Sequence, residues 1–185
     1  MESVGFKEWA LVGAAIGRGE QSIILRKGGI AEGRDGFSFK HREFFLFPTF
    51  FHEQVEKVRG REWTLPVQRG GVVEFHVFAQ VEFSAVVTSW EMAAALEPLH
   101  ILRREVVEER FRYDAAPGIH LAFIRAFRLE PAWTIPELPG YGGCRSWVRL
   151  PEPPGEMERV PVLSDAEHAA RREQLQVLLG GVAPV

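Results

Sequence analysis

Three groups of residues have side chains and spacings that could do chemistry. The first is basic and glycine-rich. Arg26-Lys27-Gly28-Gly29 follows a short apolar run, and the amides of such a loop can cradle a phosphate while the cations supply charge. Arg42 and Arg145 lie beside aromatic residues elsewhere in the chain, a combination that suits stacking on bases and pairing with phosphates. The second group is His41, Glu43 and His52. His41 and Glu43 occupy the alternate positions that otherwise hold Phe37, Phe39, Phe45 and Phe47. On one continuous strand they would face an aromatic wall, which shifts protonation and suits general acid–base work. If residues 40–43 form a polar turn between two shorter strands, that arrangement is lost. Joined by Glu53, and by His76 or Glu74, the same residues could gather a metal, although no spacing among them matches a known metal motif. The third group is made of isolated residues in apolar settings. Arg125 shares alternate positions with Ile119, Leu121, Phe123, Phe127 and Leu129. A buried unpaired guanidinium is very costly, so Arg125 must pair with a carboxylate (Glu43 or Glu74), bind an anion, or escape through a bulge; an ion pair is the favoured reading. Cys144, the only cysteine, reads as a buried structural thiol because no protease-like signature surrounds it.

Several chemistries are excluded by what is missing. A single cysteine removes intramolecular disulfides, paired-cysteine redox chemistry and multi-cysteine zinc sites. There is no Walker loop, no G-x-G-x-x-G opening a helix and no G-x-S-x-G. The net charge of −3 argues against a dedicated duplex binder, whose affinity comes largely from phosphate neutralisation, and leaves a local basic patch as the route to anions. The first residues lack a basic stretch ahead of a short apolar run, so neither a signal peptide nor a membrane span is expected, and the expected address is the cytoplasm.

The elements that must position these residues can be read from periodicity. Residues 9–16 and 22–25 are apolar around a Gly-Arg-Gly-Glu turn and predict an opening β-hairpin. Residues 50–59 predict a short helix capped by Thr49 and closed by Gly60. From 73 to 87 every odd position is apolar, which predicts β structure. As one straight strand it would span roughly 50 Å, so a bend, bulge or turn must interrupt it. Ser89 predicts a helix cap, Pro98 opens another helix towards Arg104, and residues 119–129 predict a further strand ahead of irregular, proline-marked chain. Ser164-Asp165-Ala166-Glu167 is a capping box for a helix closed by Gly180. The expected fold is α+β, with a mainly antiparallel sheet, a few short helices and a C-terminal helix. Residues 1–150 form one domain in this reading, and residues 151–185 form a proline-rich linker and a helix that packs on it or on a partner.

Phe6-Lys7-Glu8-Trp9-Ala10, the run from Ile24 through Arg26-Lys27-Gly28-Gly29 to Ile30, His41-Arg42-Glu43-Phe44, Leu46-Phe47-Pro48-Thr49 with His52, and Tyr141-Gly142-Gly143-Cys144-Arg145-Ser146-Trp147-Val148 together resemble a bacterial family known as domain of unknown function 1802, over about residues 5–150. The resemblance implies a stand-alone bacterial cytosolic protein and brings no activity with it. The opening segment is similar to the first strands of a Nudix hydrolase, but the glutamate box that holds Mg²⁺ in those enzymes is missing. The leading expectation is a module that binds a phosphorylated ligand, nucleotide or nucleic acid through Arg26, Lys27, Gly28, Gly29, Arg42, Arg125 and Arg145. The alternatives are a metal-dependent or acid–base hydrolase built on His41, Glu43 and His52, and a non-catalytic oligomeric scaffold.

Overall fold

The structure is a computed structural model that describes residues 3–27, 37–60 and 62–180. Gly28 and Gly29 of the basic loop lie outside them. The described chain is α+β and runs β1 (Val4–Trp9), α1 (Ala10–Gly17), β2 (Ile23–Arg26), β3 (Glu43–Thr49), β4 (Val72–Val87), α2 (Trp90–Ala95), α3 (Arg104–Phe111), β5 (Ile119–Pro136), β6 (Trp147–Arg149), β7 (Glu158–Pro161) and α4 (Asp165–Leu178). Six strands follow the order β2-β5-β4-β3-β1-β6, and β7 pairs with β5 alongside β2. Among the described residues only β1 and β3 run parallel; the other pairings are antiparallel.

β4 and β5 form the long ribbon at the centre of the sheet. The alternation of β4 makes it a strand, and its length is absorbed by register shifts between Phe75 and Val77 and between Val81 and Phe83. A bulge inserts an extra residue, bends the strand and exchanges its faces. Around His76 the exchange is visible: Val73, Phe75 and Phe78 pack in one core with Phe45, Phe47, Trp133 and Ile135. Val77 and Ala79 join the larger core on the other face, with Phe6, Phe44, Ile23 and Phe123. An uninterrupted odd-position pattern thus feeds two cores.

Several expectations are corrected. Residues 10–16 are helix, not the first arm of a hairpin. This segment is apolar at nearly every position, so periodicity cannot separate strand from helix, and its alanines favour helix. Its first turn is held by a distant side chain: buried Gln54 accepts from Leu11 N at 3.0 Å and donates to Thr49 O at 3.1 Å. Residues 50–59 do not make a helix beyond one short turn, His52–Val55. Their later backbone groups bond across to another segment, Arg59 N to Ile101 O at 2.8 Å and Arg103 N to Lys57 O at 3.0 Å. Thr49 is no cap; it ends β3 and its hydroxyl donates to Glu8 O. The turn at Pro98 stays short, Glu97–Leu99, and α3 begins only at Arg104. β5 continues to Pro136 because Pro131 falls between the registers of Arg128 and Trp133, where β4 supplies no partner. The caps at Ser89 and Ser164 form as expected.

β2 and β6 end opposite edges of the strand path, yet Arg26 Nη2 donates to Ser146 Oγ at 3.1 Å. The sheet therefore curls until its edges approach, as an incompletely closed barrel does. The seam lies beside β1.

Candidate functional site

Four cations gather at this seam. Lys7, on β1, is only 8% exposed. It is held in place by its strand, because its backbone N–H donates to Ser146 O at 2.8 Å where β6 gives way to the preceding turn. Its ammonium donates to Gly143 O at 2.9 Å and sits 5.9 Å from the centre of the Phe47 ring. Arg26, the last residue of β2, lies over Phe6 at 5.7 Å as well as bonding Ser146. Arg110, near the end of α3, donates to Leu25 O at 2.8 Å and lies over Trp9 at 4.5 Å. Arg145 is exposed on the turn ahead of β6 and acts electrostatically on Lys7.

Burial and the mutual repulsion of the cations act together on this group. Burial pulls the Lys7 amine below its ordinary pKa, and Arg145 and Arg26 push it further down while Cys144 opposes them. Burial also lowers Arg110, with Arg26 adding to the effect and Glu8 and Glu109 opposing it. Among the described residues no carboxylate oxygen lies within 4.0 Å of Lys7 Nζ or of the Arg26 and Arg110 guanidinium groups. Their hydrogen bonds go to carbonyl and hydroxyl oxygens, which hold position without neutralising charge. Glu8, 3% exposed, is the buried carboxylate of the neighbourhood, and its Oε1 accepts from Trp9 N at 2.8 Å. Buried charges are ordinarily paired; among the described residues the carboxylates that act on the group are Glu8 and Glu109, both on Arg110.

The residues singled out in the sequence are distributed around this cluster unevenly. Arg26 and Arg145 belong to it. Lys27 lies beside it but is engaged with Asp114 at 3.1 Å and with Ala116 O and Gly118 O, pinning the turn between α3 and β5. Arg42 is exposed, and its carbonyl accepts from Val81 N. Arg125 pairs with Asp165 at 2.6 Å, so the ion pair expected for it exists with a partner on α4 in place of Glu43 or Glu74. His41, Glu43 and His52 are not brought together. His41 and His52 flank the two ends of β3, a strand that spans roughly 20 Å. Residues 40–42 are irregular and β3 starts at Glu43, so the single aromatic-walled strand does not form. His41 packs edge-on against Trp147 at 4.8 Å and shares with Arg145 the wall of an open hollow, while Glu43 accepts from Gln80 at 2.9 Å. Among the described residues no three of His, Cys, Asp or Glu come close enough together to hold a metal ion. Cys144 is exposed rather than buried, because the glycine turn carries it away from both cores.

Lys7, Glu8 and Arg110 are the site residues that sequence reasoning missed. A signal existed for the first two, as adjacent charges inside an otherwise apolar opening segment. Arg110 had none: α3 is crowded with charges, and nothing in its spacing marks the one that turns inward.

The segments on which the family resemblance rests converge here, through Lys7 with Gly143 and Ser146, Phe6 with Phe44 and Trp147, and Arg26 with Ser146. Comparison with curated proteins finds no match. Among solved structures the chain is similar to the ASCH protein of Zymomonas mobilis. A point variant of that protein aligns with TM-score 0.44 and 10% identity, covering 94% of this chain and 96% of the other. The unmodified protein gives 0.42 and 10%, covering 93% and 94%. The sequence model of one family, described as domain of unknown function (DUF1802), matches residues 5–174, and over that span the chain belongs to this family.

Proposed function

We propose that the protein binds a phosphate-bearing ligand, a nucleotide or single-stranded nucleic acid, with its phosphate at Lys7, Arg26, Arg110 and Arg145. The observation that supports this reading most directly is Lys7: a lysine mostly buried along its length, with two arginines acting on its part-buried ammonium, bonded to a carbonyl and to no carboxylate among the described residues. An arriving phosphate would supply a counter-charge in place of the hydration that folding removes, and charge-assisted bonds are among the strongest available. Phe6, Trp9 and Phe47 already lie against these cations, which suits a ligand combining a phosphate with a ring.

The test is a titration with pyrophosphate and with a short single-stranded RNA over a salt series. Arg26→Ala and Lys7→Met are each expected to weaken binding by tenfold or more, and to flatten the salt slope as phosphate contacts are lost. Lys7→Met is also expected to hold or raise Tm, because it removes a charge that burial disfavours. Lys27→Ala is the contrast: its bonds are internal, so it lowers Tm and leaves affinity near wild type. No binding at low salt, or affinity indifferent to Arg26→Ala and Lys7→Met, would overturn the proposal.

A further inference from the structure

Beside the cation cluster lies a cavity of about 390 Å³, within the roughly 300–1,000 Å³ usual for small-molecule sites. Its walls come from α1, the end of β3, the chain at 66–72 and the bulged part of the β4–β5 ribbon. Two features make it more than a packing gap. The first is its lining. Trp9, Phe47 and Phe50 supply rings, and Glu8, 3% exposed, is among the charged residues that line it, together with Arg18, Arg69 and Arg128. The second is Gly13. It faces the cavity from α1, and a Cβ built on it would meet nothing within 4 Å, so the helix leaves room there that an alanine could occupy.

The cavity and the cation cluster share a wall. Trp9 lines the cavity and lies under Arg110, Phe47 lines it and lies beside Lys7, and Glu8 lines it and acts on Arg110. None of the four cations lines the cavity itself, so a ligand with a charged end on them and a ring in the cavity has to reach round the edge of these side chains. We infer that the ligand is a nucleotide whose base occupies this cavity, with Glu8 accepting hydrogen bonds from ring or exocyclic N–H groups. The inference rests on the phosphate-binding reading. An ionised carboxylate only accepts, so Glu8 favours a base edge rich in donors, as guanine presents, over one that offers an acceptor there, as adenine does. The same chemistry could reach the site as a free mononucleotide or as the terminal nucleotide of a strand.

The test uses the full chain and four probes: pyrophosphate, GMP, AMP and a short RNA ending in a 5′-phosphorylated guanosine. Gly13→Leu fills the cavity, and because Gly13 sits in α1 with ordinary helical backbone the change is expected to keep or raise helix stability. Wild type is expected to bind GMP, or the RNA that ends in it, at least tenfold more tightly than pyrophosphate, and Gly13→Leu is expected to erase that advantage while pyrophosphate affinity stays unchanged. Glu8→Gln is expected to lower the preference for GMP over AMP severalfold. Nucleotide binding equal to wild type in folded Gly13→Leu would overturn the inference, as would pyrophosphate binding with no gain from the base; either result leaves the phosphate site standing. Failure of pyrophosphate itself to bind would instead remove the reading beneath it.

Discussion

Burial acts in the same direction on Lys7 and on His100, and in both cases arginines add to it. At Lys7 the neighbours are Arg145 and Arg26; at His100 they are Arg59 and Arg110. The outcomes differ because the hydrogen bonds differ. Lys7 donates to a carbonyl and has a use for its proton. His100 accepts from Leu102 N at Nδ1, 3.1 Å away, so its neutral form is the one the fold needs, and its pKa drops to about 3. The consequence for stability has a definite sign. Above an ordinary histidine pKa of about 6.5 neither state binds the proton; below it the unfolded chain does and the native one does not, so stability falls as the pH drops from about 6.5 towards 3. At roughly 1.4 kcal/mol per unit, about 2–3 kcal/mol is lost by pH 4.5. Urea unfolding measured from pH 7 to 4.5 is expected to show this slope, and His100→Asn, which can still accept from Leu102 N, is expected to flatten it. An unchanged slope in His100→Asn would assign the acid sensitivity elsewhere.

At the level of elements, what could be read in the sequence depended on whether the determinant was local. The caps at Ser89 and Ser164, the long alternating strand and the need for it to bend follow from residues within a few positions of one another. The helix at 10–17 does not: with polar groups absent from its faces, only its place beneath the sheet and the Gln54 clamp settle its state. Nor does the failed helix after Phe50, whose backbone bonds are claimed by residues 101–103. The same distinction divides the site. Arg26 and Arg145 announced themselves by neighbouring glycines, whereas Arg110 enters only through the packing of α3. The seat of α4 was equally hidden, since it depends on Glu82 meeting His168 at 3.0 Å and Arg172, with Arg125 meeting Asp165. Burial alone would raise the Glu82 carboxyl, but hydrogen bonds from His168 and Arg172 outweigh it and hold the pKa below its ordinary value. This contribution is complete above the ordinary pKa of about 4.5 and is lost as pH falls through the lowered native value. Glu82→Gln is expected to lower stability by about 1 kcal/mol at pH 7, with the gap to wild type narrowing as the pH falls below about 4.5, read by a series of thermal melts from pH 7 downwards. A gap that stays constant with pH would mean that Glu82 acts through packing.

At the scale of the whole molecule, the curled sheet makes one body out of pieces that look detachable in the sequence. The chain after the proline-rich stretch returns to add β7 to the edge of β5, and α4 then lies across the sheet with His168 stacked on Phe123 at 4.9 Å and with Leu175 and Leu179 buried in the core that also holds Phe6 and Phe44. Phe6 is the residue over which Arg26 is placed, so the proposed phosphate site and the C-terminal helix draw on the same packed cluster. Burying two leucine side chains contributes about 3–6 kcal/mol, and the ion pairs of α4 add to it, against a total stability of about 5–15 kcal/mol for a single domain. Ending the chain after residue 163 is therefore expected to unfold or severely loosen the entire molecule rather than trim an appendage. The full chain is expected to unfold in urea in one transition, with the near-ultraviolet signal of the tryptophans and the far-ultraviolet signal coincident. Leu175→Ala, a milder version of the same cut, is expected to move that transition to lower urea by an amount worth about 2–5 kcal/mol without splitting it. A truncated chain that kept its native tryptophan spectrum and its affinity for pyrophosphate would show instead that the seam and its cations stand on the first strands alone.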